Sequence, residues 1–69
     1  MKISARNVFP GTVTAIKAGS VNSEVSIEIA KGIVITAVIT KSSAKHLGLK
    51  KGAKAYAVIK ASNVLLATD

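Results

Sequence analysis

Residues 24–29 read Glu-Val-Ser-Ile-Glu-Ile, and residues 33–40 read Ile-Val-Ile-Thr-Ala-Val-Ile-Thr. The strict alternation of polar and apolar residues in the first stretch predicts a half-buried antiparallel strand. Lys31-Gly32 predicts a turn, so the two stretches form a hairpin. The second strand is apolar on both faces, which indicates that it is central or that its outer face meets a partner.

Further elements follow on both sides of this hairpin. Upstream, Val13–Lys17 is rich in β-forming residues and predicts a strand that runs to Gly19-Ser20. Downstream, Thr40–Leu49 predicts a helix of one to two turns, with the hydroxyls of residues 42 and 43 as N-cap candidates and Gly48 as its stop. Two more strands are predicted, over residues 54–60 and 64–67.

The element order is three strands, a short helix and two strands. We therefore expect an all-β protein with one short helix, folded as a five-stranded barrel of the oligonucleotide/oligosaccharide-binding type, with the helix between strands 3 and 4. Closure of the sheet would remove exposed edges. An open α+β sandwich with the same elements is the alternative. The 69 residues fit one domain, residues 1–69.

The composition indicates that a single copy of this domain has only marginal stability. It carries 49% hydrophobic residues, yet a chain of this size buries only about 60% of its unfolded surface. The absence of cysteine excludes disulfides and thiolate zinc sites. Association of several copies is the usual remaining solution, and a tight monomer with a few exposed valines is the alternative.

The residues give little support to an enzyme. The chain has one histidine and three acidic residues. Glu24 and Glu28 share the outer face of one strand, and His46 has no acidic neighbour in the sequence. No apolar run is long enough to span a bilayer, and no signal peptide is recognisable. We therefore expect a cytoplasmic protein without catalytic function.

A net charge of +7 instead points to an anionic ligand. Single-stranded nucleic acid is one class, but barrels of this type hold bases by aromatic stacking. Phe9 and Tyr56 are the only aromatic residues, and both are expected to pack rather than to be displayed. A small tetrahedral oxyanion is the other class, and it requires hydrogen-bond donors, about two positive charges and no nearby carboxylate.

Three local features supply such donors. Alternation along an extended segment would place Ser4 and Arg6 on one face, and it would do the same for Lys60 and Ser62. At the predicted helix start, Thr40 and the following serines bring hydroxyl and backbone N–H groups together. The helix start is equally typical of ordinary N-capping.

The chain also resembles the molbindin family of small molybdate-binding domains. The resemblance lies in Ser4–Asn7, in Thr40–Leu49 and in Val58–Val64, and it extends over essentially the whole chain. It implies an oligonucleotide-binding-type barrel that assembles as a hexamer, a trimer of dimers, and binds molybdate or tungstate in pockets between subunits. The implied contact residues are Ser4, Ala5, Arg6, Thr40, Ser43, Lys60, Ala61 and Ser62.

By the same resemblance, Ser4 and Arg6 would come from one subunit and Lys60 and Ser62 from a neighbour. The implied role is intracellular storage or homeostasis of the oxyanion, held by hydrogen bonds, and a chain that ends at residue 69 is expected to be the stand-alone form. Phe9-Pro10 is unusually apolar for this family. A single-stranded nucleic-acid-binding barrel and an assembly module that docks an acidic partner stay open as alternatives.

Overall fold

A computed structural model describes all residues, 1–69, and shows one curled antiparallel sheet with a short helix. The spatial order of the strands is β3-β2-β1-β4. The elements are β1 (Asn7–Ala18), β2 (Asn22–Ala30), β3 (Ile33–Thr40), α1 (Lys41–His46) and β4 (Lys54–Ile59). The helix follows β3 and precedes β4 in the chain.

The predicted hairpin is confirmed. β2 and β3 pair antiparallel from Asn22↔Thr40 to Ala30↔Ile33, which leaves Lys31 and Gly32 as the turn. Gly32 has φ of 77°, a value at which glycine avoids the steric cost of a side chain. The inward residues Val25 and Ile27 are buried, as their alternation with polar residues predicts.

β1 is longer than the sequence predicts, because it begins at Asn7 and passes through Pro10-Gly11. Residues 7–12 pair with β4, and pairing with β2 begins only at Thr12. Pro10 therefore lies where β1 has a partner on one side only, so its missing N–H is tolerated. An irregularity between Val13 and Ala15 marks the change of partner along this strand.

β3 lies at the edge of the sheet, so its apolar character is not explained by a central position. Its outward residues Val34 and Val38 are 50% and 67% exposed. Ile35 and Ile39 face inward and are only half-buried. The explanation by a central position is therefore wrong, and a partner on the outer face stays a prediction.

The helix cap and the last strand differ from the prediction. Thr40 is the N-cap, ahead of the predicted serines, because its backbone is still extended and its side chain accepts a hydrogen bond from the Ser43 N–H. The prediction of a fifth strand over Val64–Ala67 is wrong for the single chain. After a 3₁₀ turn at Ala61–Asn63, the tail pairs with neither sheet edge, and a strand requires a partner. The sheet is an open half-barrel of four strands and not a closed barrel of five.

The buried core is small. Only Val13, Val25, Ile27 and Ala44 are buried hydrophobic residues, and Val13 is the most enclosed at 1% exposure. Backbone hydrogen bonds tie Val13 to the loop before β4, from Val13 N–H to Ala53 O at 2.9 Å and from Gly52 N–H to Val13 O at 2.8 Å. The core therefore sits where β1 passes from one partner strand to the other.

Gly11→Ala is expected to destabilise the protein by about 1–3 kcal/mol, the usual cost of overpacking. A Cβ atom at Gly11 would lie 2.6 Å from the Glu28 carbonyl oxygen and 2.8 Å from Cγ1 of Ile27, and the backbone oxygen cannot rotate away. Urea unfolding followed by circular dichroism at a fixed protein concentration measures the loss.

Gly32→Asn is the matched control. Gly32 lies in the β2–β3 turn, where no atom lies within 4 Å of the position that a Cβ would take, and asparagine tolerates positive φ. We expect this variant to unfold close to the parent midpoint. Equal stability of the two variants would show that β1 and β2 do not require the close approach at Gly11.

Candidate functional site

The N-terminal segment and the end of β4 meet at one end of the sheet. Asn7 pairs with Ile59 at the end of the β1–β4 ladder, and Asn7 Nδ2 donates a hydrogen bond to the Ile59 carbonyl oxygen at 3.2 Å. Arg6 and Lys60 are the next residues on the two chains. The strand register therefore places the segment that contains Arg6 next to the segment that contains Lys60 within one copy of the chain.

These segments are not extended, so the predicted alternation does not apply to them. Ser4 and Arg6 lie at bends before β1. Lys60 caps a 3₁₀ turn that contains Ala61 and Ser62, and Asn63 N–H donates to Lys60 O at 2.9 Å. Ala5 is half-buried, whereas the other five predicted contact residues in these two segments are exposed. Their polar groups are accessible to a ligand or to a second copy.

Electrostatically, this end of the sheet is positive. Arg6 and Lys60 each carry a positive charge at neutral pH. The two glutamates belong to β2, where Glu24 pairs with Lys17 and Glu28 with Thr12, away from the Asn7 end of β1. The strand register thus places two cations beside each other and the glutamates elsewhere, which favours an anion at the junction.

The predicted helix-start hydroxyls form an N-cap. Ser43 N–H donates to Thr40 Oγ1 at 3.0 Å, and Thr40 Oγ1 donates to Ser43 Oγ at 2.7 Å. Since the single Thr40 hydroxyl proton is used, Ser42 is the donor in its 3.3 Å contact with Thr40. The hydroxyl proton of Ser43 alone is left to donate to another acceptor.

Thr40 and Ser43 lie at the opposite end of the sheet from Arg6 and Lys60. Thr40 pairs with Asn22, next to the β1–β2 connection that follows Ala18. The twelve residues of β1 separate the two groups along the strand. No side-chain hydrogen bond links Thr40 or Ser43 to Ser4, Arg6, Lys60 or Ser62.

Tyr56 is a surface feature that the sequence prediction missed. It is 59% exposed, although the sequence predicts that it packs. Alternation along β4 turns Ala55, Ala57 and Ile59 inward, which places Tyr56 on the outer face with Lys54. Lys54 Nζ donates to Thr12 Oγ1 on the neighbouring strand at 3.0 Å. The alternation of small and large residues in the β4 sequence is the signal that could have revealed this.

Other sites for chemistry are not apparent. His46, the last residue of α1, is exposed, and the structure contains no group of three or more His, Cys, Asp or Glu side chains that would hold a metal ion. Its one α-helix, six residues long, is too short to cross a membrane.

Comparison with known proteins places these features in a family. The TOBE domain family matches residues 3–66. The chain belongs to the TOBE domain family. Within it, the chain is 44% identical over 69 residues to a probable molybdenum-pterin-binding protein of Haemophilus influenzae, and the match spans the full length of both. The predicted resemblance to the molbindin family is confirmed.

Solved structures of similar proteins share this fold. MopII from Clostridium pasteurianum in an apo form superposes with a TM-score of 0.91 at 43% identity, over 97% of this chain and 100% of that one. The cytoplasmic molybdate-binding protein ModG, with molybdate bound, gives a TM-score of 0.90 at 51% identity. That match covers 94% of this chain and 46% of ModG.

Thr40→Ala is expected to lower the free energy of unfolding by about 1 kcal/mol, because it removes the side-chain cap of α1. Thr40→Ser retains the hydroxyl and should keep most of the stability, and Ser42→Ala should be nearly neutral. Thermal unfolding at one protein concentration compares the three variants. A Thr40→Ala variant as stable as Ser42→Ala would mean that the cap observed in the structure contributes nothing.

Proposed function

We propose that this TOBE domain binds molybdate, and tungstate as its close analogue, through hydrogen bonds and charge rather than through metal–protein bonds. The observation that supports this most is the position of two cations at one end of the β1–β4 pair. Arg6 directly precedes β1 and Lys60 directly follows β4, whereas both glutamates lie on β2. The molybdenum-pterin-binding and molybdate-binding proteins among its relatives support this ligand.

The donor set suits a tetrahedral dianion. Arg6 and Lys60 provide two positive charges, Ser4 and Ser62 provide hydroxyls, and the backbone N–H of Ala5 and Ala61 are additional donors. One charge pair at 4 Å contributes about 4 kcal/mol at an effective dielectric of 20, before desolvation is subtracted. A pocket made only of donors also disfavours monohydrogen phosphate, whose proton needs an acceptor, whereas sulfate has to be discriminated by size.

The complete pocket is proposed to lie between copies of the chain. Thr40 and Ser43 lie beyond the other end of β1 from Arg6 and Lys60, and in the proposed pocket a second copy supplies them. The partition predicted from the resemblance, with Ser4 and Arg6 from one subunit and Lys60 and Ser62 from its neighbour, is the other arrangement. A hexamer built as a trimer of dimers accommodates either one.

The proposed role is storage or homeostasis of the oxyanion in the cytoplasm, without catalysis. Such a role requires only a reversible site of suitable charge, and no cluster of acid, base or nucleophile is needed. The exposed positions of Arg6, Lys60 and both serines suit exchange of the anion with solvent when an interface opens.

Arg6→Ala is expected to weaken molybdate binding by on the order of 2–3 kcal/mol, the range for charge-assisted contacts. That corresponds to roughly a 30- to 150-fold increase in Kd. Isothermal titration calorimetry with molybdate measures it, with sulfate, phosphate and free pterin as comparison ligands. Lys31→Ala removes the same charge from the exposed β2–β3 turn and should leave the affinity nearly unchanged.

A light-scattering mass and a circular dichroism spectrum accompany each titration. They separate the loss of a contact from a loss of assembly or fold. Equal affinity of the Arg6→Ala and parent proteins would remove Arg6 from the site. No heat from molybdate with a folded, oligomeric parent protein would overturn the proposed function.

Single-stranded nucleic acid is the second candidate, and the exposure of Tyr56 is the observation that favours it. The ring lies on the outer face of β4, where alternation also places Lys54. Base stacking on one tyrosine contributes about 1–3 kcal/mol, and the rest of the affinity would come from phosphate contacts that weaken steeply with salt. Oligonucleotide binding that persists at physiological salt and falls in Tyr56→Leu would support this alternative.

A further inference from the structure

Asn7 is joined to both cationic segments of the candidate site. It follows Arg6 directly in the chain and is the first residue of β1. Its side chain reaches β4, where Nδ2 donates a hydrogen bond at 3.2 Å to the carbonyl oxygen of Ile59, 52 residues further along the chain. Lys60 directly follows Ile59. One side chain thus connects the segment of Arg6 with the segment of Lys60.

The acceptor of this hydrogen bond restrains the backbone of Lys60. The carbonyl group of Ile59 and the N–H of Lys60 belong to one peptide unit, which is planar. A hydrogen bond to this oxygen therefore restrains the orientation of the whole unit. Lys60, with φ of −61° and ψ of 132°, then leads into the 3₁₀ turn, where Asn63 N–H donates to the Lys60 carbonyl oxygen at 2.9 Å. The restraint is thus passed to the turn that contains Ser62.

No other side chain restrains these two segments. The pairing of β1 with β4 ends at Asn7 and Ile59, so the strand ladder does not continue beyond them. None of the other side-chain hydrogen bonds of the chain involves residues 1–6 or 60–69. The hydrogen bond from Asn7 Nδ2 is therefore the one side-chain connection between the two segments within one copy.

The two cations at this end of the sheet repel each other. Arg6 and Lys60 are exposed, and both glutamates of the chain lie on β2. Without an anion, this repulsion favours separation of the two segments, and binding would have to bring them together again. A hydrogen bond that already exists in the free protein lowers this cost, because it holds the segments side by side before the anion arrives.

We propose that Asn7 is a positioning residue of the anion site, whose side-chain amide holds the Lys60 segment beside the Arg6 segment so that both cations meet the oxyanion together. The proposal rests on the proposed function, since it concerns the same site. Asn7 acts through the backbone of Ile59 and Lys60 and not by contact with the anion. Its effect on affinity should therefore require Lys60, which the effect of a residue that only stabilises the fold would not.

Thr14→Ala is the matched control for Asn7→Ala. It removes another hydrogen bond from a side chain to the backbone of a neighbouring strand, from Thr14 Oγ1 to the Ser26 carbonyl oxygen at 3.4 Å. Thr14 is half-buried like Asn7, and it lies in the irregular part of β1 and not at its first residue. We expect both variants to lower the free energy of unfolding, whereas only Asn7→Ala should affect the anion site.

Amide hydrogen exchange of the full-length protein, measured by NMR without molybdate, tests the restraint itself. The N–H groups of Asn63 and Val64 close the 3₁₀ turn. In Asn7→Ala we expect them to exchange at least about threefold faster than in the parent, while the amides of the β2–β3 hairpin keep their rates. Thr14→Ala should leave the turn unchanged. Parent exchange rates at the turn in Asn7→Ala would overturn the proposal.

Isothermal titration with molybdate tests the consequence for binding. Asn7→Ala should raise the Kd about three- to tenfold, as expected for the loss of one hydrogen bond, and Thr14→Ala should change it less than about twofold. Asn7→Asp keeps the shape of the side chain but replaces the donor by a carboxylate beside two cations, so its Kd should rise further. Light scattering shows whether each variant keeps the mass of the parent. Equal Kd values for Asn7→Ala and Thr14→Ala would overturn the proposal.

A double-mutant cycle separates positioning from general stabilisation. In a Lys60→Ala background, Asn7→Ala should raise the Kd by less than about twofold, because no charge is left to position. In a Lys31→Ala background, it should keep its full effect. The same factor in both backgrounds would overturn the positioning role. No molybdate heat from the parent would overturn the proposed function as well, whereas molybdate binding that is equal in the parent and Asn7→Ala would overturn the role of Asn7 alone.

Discussion

A chain of 69 residues without disulfides must obtain its stability from buried apolar surface, and one copy of this chain buries little. Val13, Val25, Ile27 and Ala44 are its buried hydrophobic residues. Further apolar side chains line the concave face, the outer face of β3 and the tail, all accessible to a partner. The same shortage accounts for an open sheet, exposed leucines and an apolar concave face. Association of copies, as predicted from the composition, would address all three.

β1 connects the small core to the candidate site. It is the only strand that pairs with both β2 and β4, and it changes partner near the irregularity at Val13–Ala15. Its length therefore fixes which polar groups meet. Its first residue holds the Arg6 and Lys60 segments together, whereas its last leads to the loop that contacts the helix start, where Lys41 N–H donates to Val21 O. In the proposed pocket, groups from the two ends of this strand meet across an interface.

The sequence predicted those parts of the molecule whose signals are local. The alternation in residues 24–29 and the Lys31-Gly32 turn determine the hairpin, and Gly48, at φ of 66°, follows the helix as expected. The sequence predicted the strand only from Val13, because sequence alone does not reveal that residues 7–12 pair with β4. Val64–Ala67 has the composition of a strand, but a strand exists only where another edge receives it, and that information is not local.

The candidate site, too, was predicted from the sequence only in part. The sequence identified the residue types that an oxyanion needs, and the register of β1 with β4 makes neighbours of the segments that carry Arg6 and Lys60. It did not reveal that Ser4 and Arg6 lie at bends or that Tyr56 is exposed, since both depend on the packing around them. The proposed assembly would add an electrostatic requirement, because every copy would bring a net charge of +7 to the oligomer. Apolar contacts have to overcome that repulsion, and a dianion held between copies would reduce it. Binding of the anion and cohesion of the oligomer would then be thermodynamically linked, so that each strengthens the other.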